Sequence, residues 1–97
     1  MYAIKFTPSA LVDTGWFKKR ERKIIVDGIA EQLRHDPVGE TRNRKRLRPN
    51  ATSEWELRIE KYRIFWNLKH EERVVEVRVV GEKRGNRVVV RGEEYEL

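Results

Sequence analysis

The sequence predicts an α+β domain: an N-terminal strand and a two-helix hairpin precede three to four antiparallel strands, with the helices packed on one face of the sheet. Apolar residues alternate near the N-terminus, recur with a helical period in the next segment, and alternate again in short segments after residue 53. Turn-forming residues separate these segments, and no internal repeat or linker divides the chain. The 97 residues therefore suit one domain that spans 1–97.

The first strand and the first helix are predicted between residues 2 and 17. Tyr2 to Phe6 alternate as a strand does. Thr7 or Ser9 then supplies the side-chain oxygen that caps a helix, which is predicted to run to about Phe17 or to end at Gly15. The apolar residues expected to form the buried stripe of this helix are Leu11, Val12 and Trp16.

A second helix is predicted within residues 17–37. Its apolar residues fall on one face, namely Ile24, Ile25, Ile29 and Leu33. Gly28 costs this helix about 1 kcal/mol relative to Ala, so we expect another element to pack closely against it. The helix ends at Asp36-Pro37, because proline disfavours helical geometry in the residue before it.

Four segments after residue 53 carry strand patterns: 54–59, 62–68, 73–80 and 87–91. The first two predict a hairpin with Glu60-Lys61 at its tip. Its register pairs apolar residues on one face, namely Trp55 with Trp66, Leu57 with Ile64, and Ile59 with Tyr62. The other face then pairs Arg58 with Arg63, and Glu56 with Phe65.

Two interpretations of the opposed Arg58 and Arg63 stay open. Like charges directly opposite each other destabilise a sheet, but they become useful when a phosphate or carboxylate lies between them. Alternatively, both arginines lie on a solvated face and pair with carboxylates such as Glu56 or Glu76.

Further cations are expected near this polar face. The next strand is predicted to point Val75, Val77 and Val79 to the core and Glu76 and Arg78 to the polar face. Lys83, Arg84 and Arg87 are expected in the turn that follows.

Residues 38–53 show no periodicity and predict a loop, which contains the run "TRNRKRLRPN". Its cations are Arg42, Arg44, Lys45, Arg46 and Arg48. With a net charge of +6, such a run favours a polyanionic partner and suits the rim of an RNA-binding surface that contacts the backbone through charge. A solvated surface loop is the alternative.

The composition argues against several classes of site. The chain has no cysteine, which removes disulfides, thiolate catalysis and cysteine-ligated zinc. His35 and His70 have no recognisable partners, so no metal site and no cofactor are predicted. No apolar run approaches the roughly 20 residues that span a bilayer, and the N-terminus lacks signal-peptide character, so a cytoplasmic location without membrane contact is expected.

The segments "WELRIEKYRIFW" and "VVGEKRGN", in this order after the "PSAL" helix start, resemble the RelE/ParE superfamily of toxins from type II toxin–antitoxin systems. The resemblance to RelE implies a toxin that inhibits translation by cleaving mRNA on the ribosome, without a metal, through attack of a ribose 2′-OH on the adjacent phosphate. It also implies an acidic antitoxin as partner and a toxin–antitoxin hetero-oligomer.

By this resemblance, Arg63 binds the scissile phosphate, Arg58 assists it, and Lys83 acts near the leaving group. RelE uses a tyrosine where this chain has valines, Val88 to Val90. The candidates for the general base are therefore Tyr95, Glu93, Glu56 and Glu54, although "EEYEL" also fits a frayed acidic tail.

Two other functions are compatible with the sequence. A ParE-like toxin would inhibit DNA gyrase by binding it, and the missing strand tyrosine favours such a toxin or a catalytically degenerate RNA-binding relative. A non-toxin RNA-binding domain would need exposed aromatic residues on the sheet face, where only Phe65 is predicted.

Overall fold

The computed structural model describes residues 1–96 and confirms the α+β architecture. The elements in chain order are β1 (Ala3–Phe6), α1 (Pro8–Gly15), α2 (Lys19–Leu33), β2 (Arg44–Arg46), β3 (Trp55–Ile59), β4 (Tyr62–Lys69), β5 (Val74–Arg84), β6 (Arg87–Val90) and β7 (Glu93–Tyr95). Within these residues seven strands form one sheet in the order β2-β3-β4-β5-β6-β7, and β1 pairs with β5 in parallel. The sheet is thus larger than the three to four C-terminal strands that the sequence predicts.

The main core lies between the helices and one face of this sheet, which we call the helix face. Ile25, Ile29 and Leu33 of α2 are buried against it, and Ile24 is partly buried, which confirms the predicted face of this helix. The sheet contributes Trp55, Leu57, Tyr62, Ile64, Trp66, Val75, Val77 and Val80. The opposite side of the sheet is called the outer face below.

The predicted buried stripe of α1 is wrong. Leu11, Val12 and Trp16 are 60%, 56% and 49% exposed, while Asp13 and Thr14 face the sheet. A polar contact, and not apolar packing, determines which side of this helix faces the sheet. The Asp13 carboxylate accepts a hydrogen bond from the backbone N–H of β5 at a distance of 3.1 Å, and a buried carboxylate that satisfies a backbone donor fixes the rotation of the helix.

The ends of α1 follow ordinary capping chemistry. Of the two predicted caps, Thr7 is the one used, because its hydroxyl accepts a hydrogen bond from the N–H of Ala10 at 3.1 Å. The helix ends at Gly15, the earlier of the two predicted ends, and Phe17 beyond it is buried in the core.

A hydrogen bond from a buried tyrosine ties α2 to β4. The hydroxyl of Tyr62 donates to the Glu21 carboxylate at 2.9 Å. Burial and the neighbouring Glu21 raise the pKa of Tyr62 to about 12. This phenol therefore stays protonated and keeps donating at physiological pH.

The predicted hairpin register is confirmed. Trp55 pairs with Trp66, and Arg58 pairs with Arg63, with Glu60-Lys61 at the turn. The two tryptophan rings stack with centroids 5.5 Å apart on the helix face. Packing of this apolar face against the helices holds the register, although the turn is not one of the favoured hairpin types.

A β-bulge changes the alternation of β5, so the prediction for Val79 is wrong. Phe65 pairs with Val79 but Trp66 pairs with Val77, which leaves Arg78 as an extra residue without a partner on β4. Val75 and Val77 face the helices as predicted, whereas Val79 faces the outer side.

A second apolar cluster covers part of the outer face. Phe65, Val79 and Val90 are buried there, and Leu47, Val88 and Tyr95 pack against them. Phe65 is fully buried, so it is not the exposed base-stacking residue that the sequence allowed. The cluster joins side chains of β4 and β5 to those of β6 and β7, which continue the same sheet, so the sheet curves around this side.

Two segments without a predicted strand belong to the sheet. Residues 44–46 form β2 at one end of the sheet, inside the predicted loop, and residues 93–95 form β7 at the other end, inside the predicted acidic tail. Lys83 and Arg84 also extend β5, and Arg87 begins β6, so the predicted turn shrinks to Gly85-Asn86. Short edge strands rich in charge lack the apolar alternation by which strands are recognised.

Arg44 in β2 is a structural residue and not the exposed RNA contact predicted from its place in the basic run. Its side chain is buried. Its guanidinium donates to the backbone carbonyls of Gly39 and Gln32, each at 3.0 Å, and to that of Val38 at 3.5 Å. Arg44 therefore fastens the segment after α2 to the edge of the sheet.

Among residues 1–96 no helix combines the length and apolar character needed to cross a lipid bilayer.

Replacing Gly28 with Ala tests the close packing expected at this position. An added Cβ would lie 2.6 Å from Cδ1 and 2.9 Å from Cγ2 of Ile59. We expect Gly28→Ala to lower the free energy of unfolding by about 1 kcal/mol, since overpacking costs about 1–3 kcal/mol and helix propensity returns about 1 kcal/mol. Gly15→Ala, where nothing lies within 4 Å, is the matched control and should be neutral or stabilising in urea denaturation. Equal stability of the two variants would contradict the close contact.

The role of Arg44 can be separated from that of its exposed neighbours. Arg44→Ala should lower the free energy of unfolding by about 1–3 kcal/mol, because it leaves backbone carbonyls without their charged donor. The exposed Arg42 provides the control, and Arg42→Ala should change stability by less than about 0.5 kcal/mol. A fully stable Arg44→Ala variant in urea denaturation would refute the structural role.

Candidate functional site

The register of three neighbouring strands collects charged residues on the outer face. Arg58 and Arg63 face each other across β3 and β4. Glu56 lies two positions before Arg58 on the same side, and Lys45 of β2 pairs with Glu56. The residues that the sequence singled out in the hairpin therefore share one surface with a lysine from the basic run.

Arg63 is held in place by the backbone around it. It is 9% exposed. Its Nη1 donates to the carbonyl oxygens of Glu60 and Tyr62 at 2.8 and 2.9 Å, and its Nε lies 3.8 Å from the Glu56 carboxylate. Burial lowers the pKa of Arg63 below its ordinary value, and Arg58 adds to this, while Glu56 opposes it. A guanidinium fixed in a partly desolvated setting interacts with anions more strongly than one in open water.

Arg58 is the more accessible of the two arginines. Its side chain is exposed, and within residues 1–96 it forms no ion pair with a carboxylate. Glu76 was one of the two carboxylates expected to pair with these arginines if they lay on a solvated face. It pairs instead with Lys69 and Arg78. Arg58 and Arg63 thus form a cross-strand cationic pair whose exposed member, Arg58, has no carboxylate partner within residues 1–96.

Glu56 lies between two cations. Its carboxylate is 3.8 Å from Nε of Arg63 and 3.5 Å from Nζ of Lys45, and its side chain is 10% exposed. Lys45 is therefore tied to the site by this ion pair, and its place in the strand was missed because a three-residue strand has almost no sequence signal. The other base candidate on β3, Glu54, is exposed and pairs with Arg46 at 3.5 Å.

Lys83 lies on the same face as Arg63. Gly81 is the residue of β5 opposite Arg63, and Lys83 follows it by two positions with an exposed side chain. Two positions along a strand return to the same face. The structure thus brings all three predicted catalytic cations to one surface, although they come from three strands.

Tyr95 and Glu93 reach the outer face through β7. The Tyr95 ring centroid is 6.5 Å from that of Phe65, and its hydroxyl is 2.9 Å from Oγ1 of Thr52. Glu93 pairs in register with Val90 and is exposed. These residues belong to a paired strand, so the frayed-tail interpretation is wrong for them.

The remaining predicted RNA-binding cations differ in their exposure and in the ion pairs that they form. Arg42 and Arg48 are exposed. Arg46 pairs with Glu54 and lies over the Trp55 ring, with Cζ 5.5 Å from the centroid. Arg84 pairs with Glu82 at 2.6 Å, and the register places both on the helix face with Tyr62. Arg84 is therefore on the opposite side of the sheet from Arg63.

No group of three or more His, Cys, Asp or Glu side chains is arranged to hold a metal ion within the described part of the chain, residues 1–96.

Comparisons with known proteins give a fold but no sequence family. No protein-family model matches the sequence, and no curated protein matches it. Solved structures do match. A chain of the RelBE2 toxin–antitoxin complex from Mycobacterium tuberculosis is 24% identical over 84% of this chain and 98% of that chain, with a TM-score of 0.71.

Two further structures agree. The isolated RelE toxin from E. coli is 22% identical over 89% of each chain, with a TM-score of 0.69. An archaeal RelE–RelB complex from Pyrococcus horikoshii is 15% identical over 88% of this chain and 97% of that chain, with a TM-score of 0.68. The N-terminal strand, the two helices and the antiparallel sheet of this protein therefore form the RelE fold.

Proposed function

We propose that the protein is the toxin of a type II toxin–antitoxin module and acts in the cytoplasm as a metal-independent, ribosome-dependent mRNA endonuclease that inhibits translation. The observation that carries the proposal is the cationic pair on the outer face. Arg63 is immobilised by two backbone carbonyls, and the exposed Arg58 lies directly opposite it. Such a pair of guanidinium groups is suited to a phosphate that gains charge in a transition state.

The proposed reaction is attack of a ribose 2′-OH on the adjacent phosphorus. The new 2′-O–P bond forms as the bond from phosphorus to the 5′-oxygen breaks, which leaves a 2′,3′-cyclic phosphate and a 5′-hydroxyl. A base takes the proton of the 2′-OH, and the departing 5′-oxygen receives a proton. Arg63 and Arg58 hold the charge on the non-bridging oxygens, and Lys83 on the same face stabilises the leaving oxygen.

Glu56 is the base that the geometry favours. It lies beside Arg63 on the outer face, so a phosphate bound there brings its 2′-OH close to this carboxylate. Glu93 is exposed at the edge of the sheet. The hydroxyl of Tyr95 is engaged with Thr52. Lys45 forms an ion pair with Glu56 at 3.5 Å, which offsets the repulsion between this carboxylate and a bound phosphate.

The exposed cations around this site support binding of a nucleic-acid backbone. Arg42 and Arg48 lie on either side of the edge strand β2 in the sequence and are exposed, as Arg58 and Lys83 are. Contacts of this kind bind through counterion release and weaken as salt rises. They suit ribosomal RNA and mRNA, which present phosphates in any sequence.

An acidic antitoxin is the proposed partner in a hetero-oligomer. The net charge of +6 favours an acidic protein that covers the cationic face. The matching structure from Mycobacterium tuberculosis is the toxin–antitoxin complex RelBE2, and the one from Pyrococcus horikoshii is a RelE–RelB complex.

Replacing Arg63 tests the cationic pair. Induction of the wild type should produce cuts in mRNA in phase with translated codons, and Arg63→Ala should reduce cleavage about 100-fold to 1,000-fold, because it removes a preorganised donor to the transition state. Arg20→Ala, an exposed arginine of α2 on the other side of the molecule, is the matched control and should cleave like the wild type.

Mapping of mRNA 5′ ends, with a parallel gyrase assay, separates the alternatives. Growth arrest with intact mRNA and inhibited gyrase would overturn the proposal in favour of a ParE-like activity. Intact mRNA without growth arrest would indicate a degenerate relative that binds RNA.

The identity of the base can be tested by isosteric replacement. We expect Glu56→Gln to lower the cleavage rate about 100-fold to 10,000-fold, as loss of a general base does, while Tyr95→Phe stays within a few-fold of the wild type. The measurement is single-turnover cleavage of mRNA on programmed ribosomes, with urea denaturation to verify that both variants are folded. The reverse order of the two effects would assign the base to Tyr95.

A further inference from the structure

The tip of the β3–β4 hairpin holds two cations of the proposed site through its backbone carbonyls. The carbonyls of Glu60 and Tyr62 accept hydrogen bonds from Nη1 of Arg63 at 2.8 and 2.9 Å. The carbonyl of Lys61 accepts a hydrogen bond from the backbone N–H of Lys83 at 2.7 Å. The placement of Arg63, and of the backbone that carries Lys83, therefore depends on the conformation of three consecutive residues, 60–62.

This tip is not stabilised by favourable turn chemistry. Glu60-Lys61 is not one of the residue pairs that readily form tight hairpin turns. Glu60 has a φ of 52°, in the left-handed region that a residue with a side chain adopts only at a cost in free energy. A backbone of this kind persists where the surrounding structure restrains it.

Contacts on the helix face supply that restraint. Lys61 lies between two carboxylates from different elements, since its Nζ is 3.8 Å from Oε2 of Glu21 in α2 and 3.5 Å from Oε2 of Glu82 in β5. The hydroxyl of Tyr62 donates to the same oxygen of Glu21 at 2.9 Å. Side chains on the face opposite to Arg63 thus tie the tip to a helix and to a neighbouring strand.

The ion pair between Lys61 and Glu82 differs from an ordinary surface pair. Exposed ion pairs contribute little to stability, and the Lys61 side chain is 57% exposed. The Glu82 side chain, however, is only 7% exposed, so its charge is poorly solvated and attracts a nearby cation more strongly. Arg84 pairs with the other oxygen of this carboxylate, Oε1, at 2.6 Å. The two oxygens of Glu82 therefore each meet a different cation.

We infer that Lys61 is a positioning residue, which clamps the hairpin tip between α2 and β5 and thereby keeps Arg63 and Lys83 in the geometry that cleavage needs. Lys61 acts through the tip and not by contact with the phosphate, because its ammonium pairs with carboxylates of the helix face while Arg63 and Lys83 lie on the outer face. The consequence for cleavage rests on the proposed function, whereas the hold on Arg63 does not.

Nuclear magnetic resonance of the Arg63 guanidinium tests the clamp without any substrate. Because two carbonyls hold Nη1, rotation about the Nε–Cζ bond should be slow, with separate Nη signals that disappear in Arg63→Ala. We expect Lys61→Ala to speed this rotation on the order of 10-fold, the equivalent of one lost hydrogen bond to a charged group. Lys61→Arg should keep the rotation slow, because a guanidinium can also bridge two carboxylates. The matched control is Lys23→Ala, which removes a lysine paired with Asp27 at 2.9 Å and should leave the rotation unchanged.

Cleavage of mRNA on programmed ribosomes provides the second measurement. Lys61→Ala should lower kcat about 10-fold to 100-fold and change KM less than about two-fold, because misplacing a catalytic group weakens the transition state and not binding. A lysine that bound RNA directly would instead raise KM and contribute to its salt dependence. Glu21→Gln should have a smaller effect in the same direction, and the double variant should resemble Lys61→Ala, since both residues act through one bridge. Urea denaturation verifies that each variant is folded.

The outcomes distinguish the clamp from the proposed function. Unchanged rotation of Arg63 in Lys61→Ala overturns the inference, and so does fast rotation that Lys61→Arg fails to restore. A rise in KM without a fall in kcat also overturns it, because Lys61 would then bind RNA directly. Fast rotation in a folded Lys61→Ala chain supports the clamp. If the wild type cleaves no mRNA, the proposed function fails while the hold of Lys61 on Arg63 stands.

Discussion

Packing of the helices against one face of the β3–β4 hairpin is the constraint on which the rest of the structure depends. Trp55, Leu57 and Ile59 must face the helices together with their partners on β4, because they form the centre of the core. Alternation then leaves Arg58 opposite Arg63 on the outer face, where their repulsion is unfavourable. Slipping the register by one residue would relieve that repulsion only by exposing the tryptophans. Burial of the apolar face thus maintains a cationic pair that the outer face alone would not form.

The bulge in β5 is the second decisive feature. Because Arg78 is an extra residue in β5, the side chains after it point to the opposite side of the sheet from the one that simple alternation predicts. Val79 therefore lies on the outer face and packs with Phe65. The outer face thereby gains a small apolar cluster, to which β6 and β7 contribute Val88, Val90 and Tyr95. This cluster divides the outer face into a charged part near Arg63 and a cavity near Tyr95.

The positive charge of the protein is only partly free to meet a polyanion. Arg44 donates its hydrogen bonds to backbone carbonyls, and Lys45 forms an ion pair with Glu56. Arg84 forms an ion pair with Glu82 on the other side of the sheet. Arg58 and Lys83 remain exposed on the outer face. The density of cations in a sequence therefore overstates the charge that a partner encounters, because short-range carboxylates and carbonyls compete for the same guanidinium and ammonium groups.

Local pattern determined the α+β class, the buried side of α2, the close packing at Gly28 and the register of the arginine hairpin, since periodicity and apolar alternation are properties of neighbouring residues. The rotation of α1 was decided by the hydrogen bond from the β5 backbone to Asp13, which joins residues far apart in the chain. Tertiary structure also decided the outward turn of Val79, the burial of Arg44, and the placement of Tyr95 and Glu93 beside the outer face. Each of these depends on pairing or burial between distant segments, and that information is absent from any single stretch of the sequence.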